Sequence, residues 1–194
     1  MASNGGALIA ITGPAAVGKS TIARALQAEL GRDGALWLVI ELDGFARALS
    51  REWIAVHERR GRFADAGFSY TRADDGAIGL TLGADARRVL AAFHRSVAAV
   101  VTSGVGVVCE TIVYDEQDWA DWTEAVRGIP TRWVKLAAPL DILEARERAD
   151  RSRVFQGLAR GMSVRHRVGV YDLEADTSVE DVPAIVGRIL SLRV

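Results

Sequence analysis

Apolar residues along the chain fall into short unbroken runs that alternate with stretches of helical period. Residues 7–12 read as a buried strand, and 19–30 as a helix with Ile22, Leu26 and Leu30 on one face, ended by Gly31 and Gly34. Residues 36–42 form a second apolar run containing Trp37, Val39 and Ile40, and it delivers Asp43-Gly44 at its carboxyl end. Regularity weakens over 45–83, where a short helical stretch through Trp53 and Val56 leads into a glycine- and charge-rich segment, long for a plain connection. A strong helical pattern follows over 84–102 with Val89, Leu90, Phe93, Val97, Val100 and Val101. The third strand is 105–113, followed by a helix over 114–127 with Trp119 and Trp122. The fourth strand is 131–136, closed by Pro139 and followed by a helix over 141–149. A short helical piece runs towards His166, a fifth strand covers 171–175 and the last helix covers 179–192. Strand and helix in alternation predict a three-layer αβα sandwich around a parallel five-stranded sheet, in a single domain; residues 1–6 read as lying outside it.

The first loop carries the most specific chemistry. Gly13-Pro14-Ala15-Ala16-Val17-Gly18-Lys19-Ser20 stands between a predicted strand and a predicted helix, which is the spelling and the context of a phosphate-binding P-loop. Its glycines let the backbone aim successive N–H groups at an anion, and the following helix adds its free N-terminal amides. Lys19 reaches β- and γ-phosphates, Ser20 offers a hydroxyl to Mg²⁺, and Thr21 follows. The chain has two lysines, Lys19 and Lys135, and its other basic side chains are arginine. A flexible point charge is thus placed where phosphate needs one. The fold is therefore of P-loop kinase type, and ATP with Mg²⁺ is the expected cofactor pair.

Other candidates follow from position. Asp43, at the end of what reads as the strand beside the P-loop strand, is either the catalytic base that accepts the proton of an attacking hydroxyl or the first residue of an Asp-Gly turn. Glu110, at the end of the third strand, either holds Mg²⁺ or its water or is a solvated strand end. The segment 146–162 is expected to act as a lid over the nucleotide. Of its arginines, Arg146, Arg148, Arg151, Arg153 and Arg160, one or two are expected to meet the nucleotide, with Arg151 and Arg153 first; the others pair with Glu144, Glu147 and Asp150. Trp53, Phe63, Phe68 and Tyr70 lie in the irregular excursion, and about two of them are expected to line an apolar acceptor pocket there. His57, His94 and His166 are too dispersed for a metal cluster, and His94 reads as structural.

Composition narrows the class. The 194 residues are 49% hydrophobic with a formal net charge of −1 and no basic block, which argues against a nucleic-acid partner. No run approaches the roughly 20 apolar residues that span a bilayer, and residues 1–4 lack the basic start of a secretory leader. The single cysteine, Cys109, cannot form an internal disulfide. A cytoplasmic protein is the expectation, and nothing in the pattern sets its oligomeric state.

Residues 13–21, Glu41-Leu42-Asp43-Gly44-Phe45, the arginine segment, and Val164-Arg165-His166 followed by the acidic alternation of residues 171–178 together resemble the chloramphenicol phosphotransferase family. The resemblance touches both ends of the chain and leaves about 50–100 unmatched. It implies transfer of the γ-phosphoryl group of ATP to a small-molecule hydroxyl, of chloramphenicol or another antibiotic. Asp43 then stands at the family's catalytic aspartate, and Gly13, Gly18, Lys19, Ser20 and Thr21 at its phosphate site. One departure is Glu110-Thr111, where relatives carry two aspartates. In kinases of this type the loop after the last strand helps hold the base, which gives Asp176 and Thr177 an adenine-side role. A nucleotide, shikimate-like or adenylylsulfate kinase uses the same core. It would need Arg59, Arg60, Arg62 and Arg72 gathered around an anionic acceptor. An ATP-dependent switch that phosphorylates no small molecule also fits the P-loop.

Overall fold

Strand β1 (Leu8–Thr12) is buried over its whole length, and its alternate residues point into two different cores. It is the centre of the molecule in a computed structural model that describes residues 6–56, 59–150, 156–163 and 168–192. The chain continues through α1 (Lys19–Leu30), β2 (Trp37–Glu41) and α2 (Leu42–Ala46) into an excursion holding β3 (Ile54–Val56), β4 (Arg59–Arg60), β5 (Phe68–Arg72) and β6 (Ile78–Leu82). There follow α3 (Ala84–Thr102), β7 (Gly106–Glu110), α4 (Glu116–Ala125), β8 (Thr131–Ala137), α5 (Leu140–Ala149), α6 (Leu158–Ser163), β9 (Leu173–Asp176) and α7 (Val182–Ser191).

The main sheet is five-stranded and parallel, in the order β2-β7-β1-β8-β9. On one face Ile9, Ile11, Val108, Val134 and Leu136 pack against Ile22 and Leu26 of α1, Leu143 of α5, and Ile185 and Ile189 of α7. On the other face Leu8, Ala10, Val107, Cys109 and Trp133 meet Leu90, Phe93, Val97 and Val101 of α3 and Trp122 of α4. Both faces are covered, as a parallel sheet requires, and the three-layer αβα sandwich predicted from the alternation is the fold observed.

The excursion departs from its sequence reading. Ile54–Val56 is a strand instead of part of a helix, and with β4, β5 and β6 it makes a second, four-stranded sheet in the order β4-β3-β5-β6. The β5–β6 hairpin turns at Gly76, whose φ of 81° is one that glycine adopts without a steric penalty. Phe68 and Leu80 bury the inner face of this sheet in the core shared with α3. The strands were hidden because they are two to five residues long and half-exposed, and β3 gains its partner β5 only by long-range parallel pairing.

Three smaller corrections follow. The neighbours of β1 are β7 and β8, and β2 lies one strand further out beyond β7, so Asp43 does not end a strand beside the P-loop strand. Gly6, expected outside the fold, is buried where a Cβ would come within 2.3 Å of the Val101 carbonyl oxygen. Helices α4 and α7 start later than their apolar periodicity indicates, because the Asp115 side chain caps the amide of Asp118 and the Asp181 side chain caps that of Ala184.

His94 on α3 packs as a structural side chain, in line with its sequence reading. It is buried, stacks on Trp122 with ring centroids 4.1 Å apart, and has its Nε2 3.4 Å from Asp118 Oδ1. Burial pushes the Asp118 carboxyl up to about 7, against the pull of the Tyr114 amide that donates to its Oδ2. Burial likewise pushes the His94 imidazole down to about 3. An acid with a raised folded-state value binds its proton more tightly folded than unfolded, so Asp118 costs stability as pH rises towards 7. The depressed His94 works in the opposite sense, its contribution fading as pH falls below its ordinary value. Replacing Asp118 by Asn keeps an acceptor for the Tyr114 amide and removes the titration. The melting temperature of Asp118→Asn relative to the parent is therefore expected to rise between about pH 5 and about pH 7.5, by at least the ~2–4 °C that about 1 kcal/mol produces in a chain this size. A pH series of thermal melts on both proteins checks it.

Candidate functional site

The P-loop leaves β1 through Thr12, whose buried hydroxyl accepts from the Val113 amide and so ties the loop to the end of β7. Gly13 then adopts a φ of 151°, and a Cβ there would sit 2.5 Å from the Leu136 carbonyl oxygen. Ala16 has a φ of 64°, the one positive value at a non-glycine position among the described residues. Such a conformation costs about 1 kcal/mol or more, and the surrounding loop maintains it. Gly18, at φ 97°, opens α1 without a side-chain cap, so the first amides of that 12-residue helix face the loop. The local sequence thus folds as a backbone cradle for an anion.

Lys19 is buried and turned onto its own loop, its Nζ donating to the carbonyls of Gly13 and Pro14 at 3.0 Å each. Glu110 is brought beside it by the pairing of β1 with β7. Burial raises the Glu110 carboxyl above the ordinary range, and the Lys19 ammonium and Ser20 hydroxyl pull it back. Glu41 and Asp43, both negative, push it up again. Glu110 Oε2 is buried without a hydrogen-bond partner. A buried carboxylate oxygen lacking a donor, next to a serine hydroxyl, is a donor set that suits a hard divalent cation whose other ligands are phosphate and water. Among the described residues no three acidic, histidine or cysteine side chains form a protein-only metal site.

These residues open onto a cleft of about 300 Å³ lined by residues 16–21, Glu110, Arg146 and Asp150. Arg146 donates to Thr177 Oγ1 at 2.8 Å and to the Thr177 carbonyl at 2.7 Å, so the end of β9 is held at the cleft by the arginine that lines it. Asp176 is turned to its own loop, accepting from the Ser178 amide and hydroxyl at 2.8 and 2.6 Å. Arg151 and Arg153 lie outside the described residues. Of the other segment arginines, Arg148 and Arg160 pair with Glu144, and Arg146 is the one at the cleft.

A second, smaller cavity of about 40 Å³ lies between α2, the second sheet and α3. Asp43 stands at its edge among Leu42, Leu49, Phe68, Tyr70, Leu90 and Tyr114. Asp43 is exposed in the first turn of α2, and its charge reaches both cavities: it raises Glu110 in the first and helps to raise Tyr70 in the second. The Tyr70 hydroxyl, pushed up to about 12 by burial first, stays protonated at neutral pH. Phe68 and Tyr70 line this cavity as the excursion's aromatics were expected to. Trp53 and Phe63 instead pack on each other with centroids 4.8 Å apart. Tyr114 was missed by sequence reasoning; it lies a few residues beyond the end of β7, and the pairing of β7 beside β2 brings it to the cavity that Asp43 lines.

Comparison with known proteins adds the family. The sequence model for chloramphenicol phosphotransferase-like protein matches residues 6–192, including the middle of the chain. No curated protein matches in sequence. Among solved structures, a sugar kinase from Janibacter sp. HTCC2649 superposes with a TM-score of 0.65 at 18% identity, covering 96% of this chain and 93% of that one. The Mycobacterium tuberculosis APS kinase, solved with AMPPNP and APS, gives 0.65 at 19% identity, with 95% of each chain covered. The Deinococcus radiodurans tunicamycin resistance protein gives 0.61 at 17% identity, with 97% of each covered. At these identities the likeness is one of fold. The match over nearly the whole length places this chain in the chloramphenicol phosphotransferase-like protein family.

Proposed function

We propose that the protein transfers the γ-phosphoryl group of ATP to a hydroxyl of an uncharged small molecule with an apolar body. The observation that carries this is the place of Asp43, an exposed carboxylate on the wall of an apolar cavity whose charge is also felt at Glu110 in the P-loop cleft. An acceptor that places its hydroxyl at the smaller cavity, widening that space of about 40 Å³ as it enters, and a triphosphate in the larger one would meet at that side chain. The Asp43 carboxylate takes the proton as the acceptor oxygen forms its bond to the γ-phosphorus, and the bond from that phosphorus to the bridging oxygen breaks to leave ADP. Lys19 leaves the Gly13 and Pro14 carbonyls for the β- and γ-phosphates, and the loop amides hold the anion in place. Ser20 and Glu110 would hold Mg²⁺ here, which when bound neutralises phosphate charge. Arg146 serves the nucleotide side with Thr177.

The lining favours a neutral acceptor. Asp43 is its one charged residue among the described residues, and three of the four arginines that an anionic acceptor would need are engaged elsewhere. Arg60 pairs with Asp65, Arg62 lies over the Phe63 ring at 5.2 Å, and Arg72 donates to the Gly76 and Gln156 carbonyls. Chloramphenicol and other hydroxylated antibiotics are accordingly the first acceptors to test, with shikimate and nucleoside monophosphates as anionic controls.

ADP formation and product mass with Mg-ATP and this panel test the reading. A neutral alcohol is expected to gain one phosphoryl group. Turnover that no alcohol accelerates would sink it and favour the switch. Asp43→Asn is expected to lower kcat about 10²–10⁴-fold, the range of a lost general base. Its KM for ATP and its melting temperature should stay near the parent's, since the side chain is exposed. Gly13→Ala should weaken nucleotide binding at least about ten-fold, because a Cβ meets the Leu136 carbonyl in a conformation alanine rarely adopts. Titration with a fluorescent ATP analogue checks that outcome.

A further inference from the structure

The two cavities are built on different sheets, and one buried acid joins them. Glu147 on α5 follows Arg146, which lines the nucleotide cleft. The Glu147 side chain is 2% exposed and accepts from the Gly157 amide at 2.8 Å and the Ala159 amide at 3.1 Å, one bond to each oxygen. Its main-chain carbonyl accepts from Gln156 Nε2 at 3.0 Å. A buried carboxylate is costly unless its lone pairs are taken up, and here both oxygens are used to fix the start of α6.

Helix α6 in turn is fixed to the second sheet. The Gly157 carbonyl accepts from the Ile78 amide at 2.9 Å, and Gly161 packs so closely that a Cβ would lie 1.9 Å from the Ile78 carbonyl oxygen. Arg72 of β5 donates to the Gln156 carbonyl at 3.2 Å. Ile78 opens β6, and β6 pairs Leu80 with Tyr70 and Leu82 with Phe68, two of the three aromatic residues that line the smaller cavity. A continuous path of hydrogen bonds thus runs from the helix carrying Arg146, through the Glu147 carboxylate to α6 and through the Ile78–Gly157 main-chain bond and the β5–β6 ladder, to the wall facing Asp43.

We propose that Glu147 is a positioning residue that couples the two cavities: by holding α6 it makes α5, α6 and the β5–β6 hairpin one body, so a nucleotide against Arg146 sets the acceptor wall. This rests on the reading of the larger cavity as the nucleotide site and the smaller as the acceptor site. In Glu147→Gln the amide nitrogen faces one of two N–H donors, so one bond is lost and a donor is opposed to a donor, while size is kept.

Hydrogen exchange on the whole protein, with and without a non-hydrolysable ATP analogue and Mg²⁺, tests the coupling without an identified acceptor. In the parent the analogue is expected to slow exchange over residues 13–21 and also over residues 78–82. In Glu147→Gln the slowing at 13–21 should persist and that at 78–82 should fall by about 5-fold or more, the scale of ordinary coupling between sites. Gly161→Ala, which keeps the carboxylate but forces α6 from Ile78, should give the same loss and serves where Glu147→Gln does not fold. Equal acceleration at 78–82 with and without analogue, leaving the slowing intact, would mean that Glu147 is only a cap and overturns the proposal. So would parental protein in which the analogue slows 13–21 alone. No slowing at 13–21 would overturn the nucleotide reading itself.

Discussion

Everything at the site depends on the parallel pairing that sets β7 between β1 and β2. In that register Ile11 lies beside Glu110 and Glu110 beside Glu41, so three strands end at one level. The P-loop leaves from the first, Glu110 ends the second, and the third runs directly into α2 with Asp43. A one-residue slip of β7 would turn Glu110 away from the cleft and bring Cys109 or Thr111 to its place. The apolar residues buried on both faces hold the register, which makes the hydrophobic core the reason the polar groups meet.

At that edge negative charge is gathered and then balanced. Glu110 feels the Lys19 ammonium and the negative charges of Glu41 and Asp43, and two exposed arginines, Arg24 and Arg47, pair with Glu41. The exposed ion pairs are weak because water screens them. The buried Glu110 is the sensitive member, raised by burial and by its acidic neighbours, and it gains most from a cation placed on its unpartnered oxygen. A triphosphate would bring more negative charge to the same edge, where Lys19 is the one buried cationic side chain among the described residues.

The parts legible in sequence were those where short-range physics decides. Gly13, Gly18 and Lys19 announce the loop because backbone geometry and phosphate chemistry leave few substitutes, and five apolar runs announce the sheet. The parts that were not legible depend on long-range partners. Ile54–Val56 becomes a strand only because Phe68–Arg72 lies beside it, and nothing local to either segment says so. Strand order escaped for the same reason: β2 and β7 are equally apolar, and which one lies beside β1 is settled by packing. Arg146 stands in a run of similar arginines, and its place at the cleft follows from Thr177, 31 residues away.

The second sheet lets the lining of the smaller cavity vary while the core stays fixed. The five parallel strands and the P-loop fix where a phosphate would lie, with little freedom to vary. Phe68 and Tyr70 hang on a small sheet that touches this core through α3 and through α6, the latter held by Gly157, Gly161 and Glu147. Side chains on β3 and β5 that face the cavity can therefore change without disturbing the loop at Gly13. The backbone contacts of α6 cannot, since any side chain at 161 would collide with Ile78. Variation thus falls on the cavity-facing side chains of the small sheet, while the sheet's attachment to the core is constrained by glycine and one buried carboxylate.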